Sequence, residues 1–275
     1  MHSTKVPAAE PGATAKDNES VVFDRVHKVF GQSKFLFWRE RDAITHALRN
    51  VCLKVKEGEV LGLLGPNGSG KSTTLKLIST MLLPDEGRVL VHGCDTRREG
   101  QTVRRKVGFA LATERSFFPR LTARENLEFF AALEDIGKRE ASERAKSTLS
   151  RVGLSEVASK QAMKFSSGMY QRLGIARALM KAPSLLLLDE PTRSLDIAAA
   201  DELWDLVKEM SSMRMTVLLA THNFEEAAAV CDRVALLHRG ELLNQQQAGR
   251  LHAAHLREFY REMTSDQPRE IGVPA

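Results

Sequence analysis

Cysteine is scarce. The 275 residues hold three, Cys52, Cys94 and Cys231, far apart and none in a CxxC pair. That spacing supplies neither a disulfide framework nor a zinc site, and it fits reduced cytoplasmic thiols. Long apolar stretches are absent too. A spanning helix needs about 20 consecutive apolar residues, and the runs at 60–64, 185–188 and 217–220 stop far short of that. Residues 1–20 lack the apolar stretch of a secretory signal. They are rich in Ala, Pro, Lys, Asp and Glu and are expected to be disordered. There is no internal repeat. Basic residues exceed acidic ones by 40 − 35 = 5, spread along the chain. Such an excess suits an anionic ligand or a membrane surface but is too small to indicate nucleic acid. The 43% hydrophobic and 27% charged residues are those of an ordinary globular chain. The length allows one large domain, or a domain with a subdomain.

Segments 21–30 and 47–56 alternate loosely, with Val51, Leu53 and Val55 on one face. That period predicts half-buried antiparallel strands. The runs at 60–64, 185–188 and 217–220 are apolar without alternation, which predicts parallel strands buried on both faces. Helical patterns follow each, the arrangement of a doubly wound α/β core. The middle differs. Residues 123–133 and 140–152 read as amphipathic helices with no strand between them, and Thr122 with Glu125 forms a capping box for the first. A mostly helical insert is expected at about 112–182. Asn223 with Glu226 reads as a second cap pair, opening a helix after the last core strand. From about 245 onward one charged helix and a Pro-containing end are expected.

The run Gly65-Pro66-Asn67-Gly68-Ser69-Gly70-Lys71-Ser72, with Thr73 next, matches G-x-x-x-x-G-K-[ST]. It follows a predicted buried strand and opens a predicted helix at 72–80, the context the motif requires. The glycines let the backbone curl until successive N–H groups converge, and the helix N-terminus adds about half a positive charge. Lys71 would then sit between the β- and γ-phosphates of a nucleotide, with the Ser72 hydroxyl on Mg²⁺. The run 185–188 ends in Asp189 and Glu190. Ligands bind at the carboxyl ends of parallel strands, so Asp189 is placed to reach Mg²⁺ through water. Glu190 is placed beyond the γ-phosphate, where a carboxylate can orient a water and take its proton. His222 follows the 217–220 strand and can hydrogen-bond the γ-phosphate.

The order is specific: a phosphate loop, a helical insert, Phe165-Ser166-Ser167-Gly168-Met169-Tyr170-Gln171-Arg172-Leu173, Asp189-Glu190, Ser194-Leu195-Asp196, then His222. Over about 21–241 the chain resembles the nucleotide-binding domain of ABC transporters. The resemblance implies an α/β fold, a P-loop NTPase (RecA-like) core with an antiparallel β subdomain and a helical insert subdomain. The ATPase domain would cover 21–244, followed by a C-terminal helix and tail at 245–275. ATP and Mg²⁺ are the implied cofactors, and ATP hydrolysis the implied reaction. Residues 165–169 stand where the family has its Leu-Ser-Gly-Gly-Gln signature, which caps ATP held by the phosphate loop of a second copy. Ser166, Ser167, Gly168 and Met169 would therefore act in trans, and Asp196 of the D-loop would cross the same interface. Phe30 ends the first strand as the family's Tyr does and is the expected adenine-stacking ring. A core phenylalanine is the alternative reading, and Phe35 and Trp38 are rivals for the role.

The resemblance also implies a homodimer of cassettes, a transmembrane permease subunit as partner and a peripheral position on the cytoplasmic face of the cell membrane. No nucleic acid is expected. Residues 114–118, the Ser-Ser-Gly-Met signature and residues 191–196 are similar to bacterial ABC-2-type exporter ATPases. Three departures stand out. The signature carries Ser167 and Met169 for Gly and Gln. The Q-loop glutamine is absent, so Glu114 or Thr113 must stand in, Glu114 as a hard oxygen for Mg²⁺. Arg193 replaces a residue that is often small. Segment 35–41 mixes aromatics with cations. It could lie against headgroups or a partner helix, or fold as a hairpin extension packing on its own sheet. The rival functions are a soluble ABC ATPase acting on nucleic acid or ribosomes and a P-loop kinase. The first often carries two cassettes or a long coiled-coil insertion, neither of which is read here. The second gives no reason for the signature.

Overall fold

The computed structural model describes residues 18–31, 44–111, 116–193, 195–248 and 252–265. Ten strands and eight α-helices are found among them. β1 (Glu19–Phe30) and β2 (Thr45–Lys56) pair antiparallel, as their alternation predicts. With β4 (Glu86–Val91) and β5 (Cys94–Asp95) they form a four-stranded sheet in the order β2-β1-β4-β5. β1 starts two residues inside the segment 1–20 expected to lack structure, because Ser20 and Val21 are buried in this sheet.

The second sheet has six strands: β10 (Glu241–Gln247), β9 (Arg233–His238), β3 (Val60–Leu64), β8 (Thr216–Thr221), β7 (Leu185–Asp189) and β6 (Val107–Leu111), in that order. All its pairings are parallel except β10 with β9. The sequence pattern makes the strand at 217–220 the last of the core. It is not: β9 pairs directly with β3, and β10 closes that edge.

Successive side chains of a strand point to opposite faces, and here both faces are buried. Val60, Leu64, Leu186, Leu188, Val217 and Leu219 belong to one apolar cluster, while Leu61, Leu63, Leu185, Leu187, Leu218 and Ala220 belong to the other. That is why these strands read as continuous apolar runs. Each fully buried leucine stabilises the fold by about 1.5–3 kcal/mol. The second cluster includes the inner face of the antiparallel sheet and α1 (Lys71–Ile78). The first includes the helical segment between β6 and β7: α3 (Ala123–Leu133), α4 (Lys138–Arg151) and α5 (Ser167–Leu179). It also takes in α6 (Ile197–Ser212) and α7 (Phe224–Val230), and α8 (Ala253–Ser265) packs on it through Leu256. α2 (Gly100–Lys106) precedes β6. The capping box of α3 forms in full: Glu125 N donates to Thr122 Oγ1 at 3.2 Å, and Thr122 N to Glu125 Oε2 at 2.7 Å. No helix among the described residues is long and apolar enough to cross a membrane.

Candidate functional site

β3 delivers the chain into the glycine-rich loop, and α1 begins at Lys71. Two glycines there have no substitute. Gly70 has φ 110, the left-handed region, and a Cβ on it would lie 2.7 Å from Ala47 O on β2. A Cβ on Gly65 would lie 2.1 Å from Leu237 O on β9. The loop is thus wedged between two strands, and Gly240 N donates to Ser69 O at 3.1 Å from the β9–β10 turn. Gly65→Ala is expected to cost about 1–3 kcal/mol through this overpacking and to weaken nucleotide binding. A urea midpoint and a nucleotide titration check both.

Lys71 folds back over the loop. Its Nζ donates to Gly65 O at 2.7 Å and Pro66 O at 3.1 Å and stands 3.5 Å from Glu190 Oε1. Burial lowers the pKa of this ammonium, and the Glu190 carboxylate opposes the shift. Ser72 Oγ donates to Asp189 Oδ1 at 3.0 Å across the α1–β7 gap. Burial raises the pKa of Asp189 against that hydrogen bond.

Glu190 follows the end of β7 with φ 50, rare for a residue with a side chain. The strain, roughly 1–3 kcal/mol, is held by its N–H, which donates to Ala220 O on β8 at 2.8 Å. This turn aims the carboxylate between two partners, with Oε1 toward Lys71 and Oε2 2.7 Å from His222 Nδ1. Gln171 Nε2 donates to the Glu190 carbonyl at 3.4 Å. Gln171 lies two residues past the signature segment, and nothing in the sequence around it signals this contact.

One cleft of about 390 Å³ gathers Asn67, Gly68, Ser69, Gly70, Lys71, Ser72, Thr73, Asp189 and Glu190. Its other walls are Phe30, Thr45, Ala47, Leu111 and Arg193. Phe30 is 39% exposed, with Lys28 Nζ 5.5 Å from its ring centroid, so it is not a core phenylalanine. Glu114, Thr113, Ser194, Phe35 and Trp38, with the rest of the aromatic-basic segment, lie outside the described residues.

The signature residues line a different cleft. Ser166, Ser167, Gly168 and Met169 line it together with Leu195, Asp196 and Ala199, and among the described residues it shares no lining residue with the phosphate cleft. Ser166 caps α5, its Oγ accepting from Met169 N at 3.3 Å, and Asp196 caps α6, accepting from Ala199 N at 2.8 Å. Ser167 is the first residue of α5 and is not in the left-handed region, so a serine costs nothing special there. Beside this cleft Ile197 is 84% exposed. Within one chain the described parts of the two clefts are separate.

The family model described as "ABC transporter" matches residues 48–193. The chain is 34% identical over 206 residues to the ABC transporter ATP-binding protein NatA of Bacillus subtilis (strain 168), covering 75% of this chain and 84% of NatA. It is 39% identical over 207 residues to the daunorubicin resistance ATP-binding protein DrrA3 of Streptomyces coeruleorubidus, covering 75% of this chain and 65% of that one. It therefore spans slightly less than two thirds of DrrA3. Among solved structures, the ATP-binding cassette MJ0796, dimeric in a post-hydrolysis state bound to ADP and Pi, superposes with a TM-score of 0.73. That pair is 31% identical, over 84% of this chain and 100% of the other.

Proposed function

The chain belongs to the ABC transporter family as an ATP-binding, ATP-hydrolysing subunit, and on that premise we propose which residues do the work and for what end. The observation that carries the reading is the Glu190 carboxylate, held between Lys71 and His222 at the phosphate loop. The reaction is ATP + H₂O → ADP + phosphate. The triphosphate draws Lys71 away from the Gly65 and Pro66 carbonyls and from Glu190, since phosphate oxygens offer it a stronger charge-assisted bond. Glu190, released from the ammonium, orients the attacking water and accepts its proton. His222 turns its ring toward the γ-phosphate, and Phe30 offers its face to adenine. Ser72 and Asp189 present the hard oxygens that Mg²⁺ takes, and a bound Mg²⁺ would spread the developing phosphate charge.

The separation of the two clefts supports completion of the site by a second copy, whose Ser166–Met169 segment caps the triphosphate and whose Asp196 crosses the interface. The membrane partner is a permease. A groove between β6 and α3, lined by Met81, Phe109, Leu111, Phe130, Leu133 and Ile136, suits a short amphipathic helix of that partner. Phe129 and Phe118 stand exposed on the same helical segment, 4.6 Å apart. The likeness to a drug-resistance protein supports export, from a peripheral position on the cytoplasmic face of the membrane. Purification from detergent-solubilised membranes is expected to bring down a channel-forming polypeptide. Leu133→Glu is expected to release it while leaving phosphate release by the free chain intact. Recovery of RNA or DNA in place of a membrane protein would move the reading to a soluble ATPase.

A further inference from the structure

α8 comes after every motif of the nucleotide site, and it packs on the molecule through Leu256, Phe259, Tyr260 and Met263. Tyr260 makes two specific contacts. Its hydroxyl lies 3.3 Å from His238 Nδ1, within hydrogen-bond reach. Its ring meets Phe224 edge-on, with the centroids 5.9 Å apart and the planes at 66°. Arg257, on the same helix, stands 5.7 Å from the Phe224 ring centroid and pairs with Glu225. α8 therefore holds two different elements, the end of β9 and the first turn of α7.

Both contacts stand one step from the chemistry. His238 directly follows Leu237, whose carbonyl oxygen would lie 2.1 Å from a Cβ on Gly65. It comes two residues before Gly240, whose N–H donates to Ser69 O at 3.1 Å. His238 thus sits between the two points at which this hairpin backs the phosphate loop. Phe224 opens α7 two residues past His222. The intervening Asn223 caps that helix, its Oδ1 accepting from Glu225 N at 2.9 Å. A phenylalanine in place of Tyr260 would fill the same space, so packing alone does not call for the hydroxyl. A tyrosine supplies a rigid apolar face for Phe224 and a polar tip for His238.

We propose that Tyr260 is a positioning residue for the reaction. Its hydroxyl, through His238 and the hairpin, sets the back of the phosphate loop. Its ring, through Phe224, sets the segment that carries His222. The first route bears on the grip on ATP, the second on the rate of the chemical step. One side chain of α8 thereby braces both. This inference rests on the reading of the phosphate loop and His222 given above.

The test uses the full chain, with Kd for a nonhydrolysable ATP analogue, kcat for phosphate release and thermal midpoint measured for each variant. Tyr260→Phe keeps the ring and removes the hydroxyl. Its affinity is expected to weaken about twofold to tenfold, the worth of one hydrogen bond, with kcat at saturating ATP held within about twofold. His238→Ala is expected to weaken affinity too, and the double variant to lose no more than His238→Ala alone, since the two changes break the same bond. Phe224→Leu is expected to do the reverse, holding Kd within about twofold while kcat falls about tenfold through misplacement of His222. A merely structural role would lower the thermal midpoint and leave Kd and kcat of the folded chain unmoved. Unaltered affinity in Tyr260→Phe overturns the proposal, as do additive losses in the double variant or an unchanged kcat in Phe224→Leu. Should Phe224→Leu not fold, Tyr260→Leu replaces it, and an unchanged kcat there overturns the proposal. Lys71→Ala run alongside separates the two ideas. If it binds the analogue as well as the unaltered chain does, the reading of the loop falls; if it binds poorly while Tyr260→Phe binds fully, only the brace falls.

Discussion

A Glu190→Gln chain is expected to bind ATP as well as the unaltered chain and to hydrolyse it roughly 100 to 10,000 times more slowly, the usual worth of a positioned general base. The amide keeps the size of the carboxylate, and its N–H or carbonyl can still meet His222, now 2.7 Å from Oε2. What disappears is the capacity to accept a proton from water. The loop glycines and Lys71 are untouched. Lys71 also loses the counter-charge 3.5 Å away, so its attraction to phosphate is not weakened. With ATP held and uncut, two chains should remain associated. Size-exclusion chromatography with and without ATP measures that, and phosphate release measures the chemistry. Full turnover in this variant would remove Glu190 from its role.

The second large effect concerns where the site is completed. Ser166→Arg places a long cation on the α5 cap, and Lys71→Ala removes the ammonium that grips the phosphates. Either variant alone damages both sites of a symmetric dimer, and each is expected to lose most activity, on the order of 100-fold or more. An equal mixture behaves differently if the site is shared. Half the dimers are then mixed, and each mixed dimer joins one intact phosphate loop to one intact signature segment. Recovery of about a quarter of the unaltered rate follows from that count for a two-fold dimer with independent sites. A site confined to one chain allows no recovery on mixing, so a rate equal to the mean of the two parents would end the shared-site account.

The parts legible in the sequence are those that local chemistry dictates. The loop at 65–72 shows itself because glycines permit its curl and the motif they form with the lysine is one that cradles phosphates. The strand ending in Asp189 and Glu190 shows itself because a run buried on both faces cannot afford a carboxylate before its end. Other parts depend on partners far along the chain. β9 joins the sheet by pairing with β3, some 170 positions earlier, with Leu61 facing Arg233. β4 has meaning only against β1, and the two-residue β5 only against β4. Asn223 and Glu226 share the spacing of Thr122 and Glu125, yet only the latter pair forms a reciprocal cap. At α7 the protein interior claims the glutamate, and nothing local announces this. Completion of the site by a second chain was implied by resemblance. Among the described residues the two clefts share no lining residue.

The wedge behind Gly65 has a practical side. The carbonyl of Leu237 and the amide of Gly240 come from a hairpin that follows the last recognisable motif, His222. A shortened protein ending at residue 231 would display every motif by which such cassettes are recognised. It would nonetheless lack the buttress behind its nucleotide pocket, so a motif search alone would pass a polypeptide unfit to hold ATP.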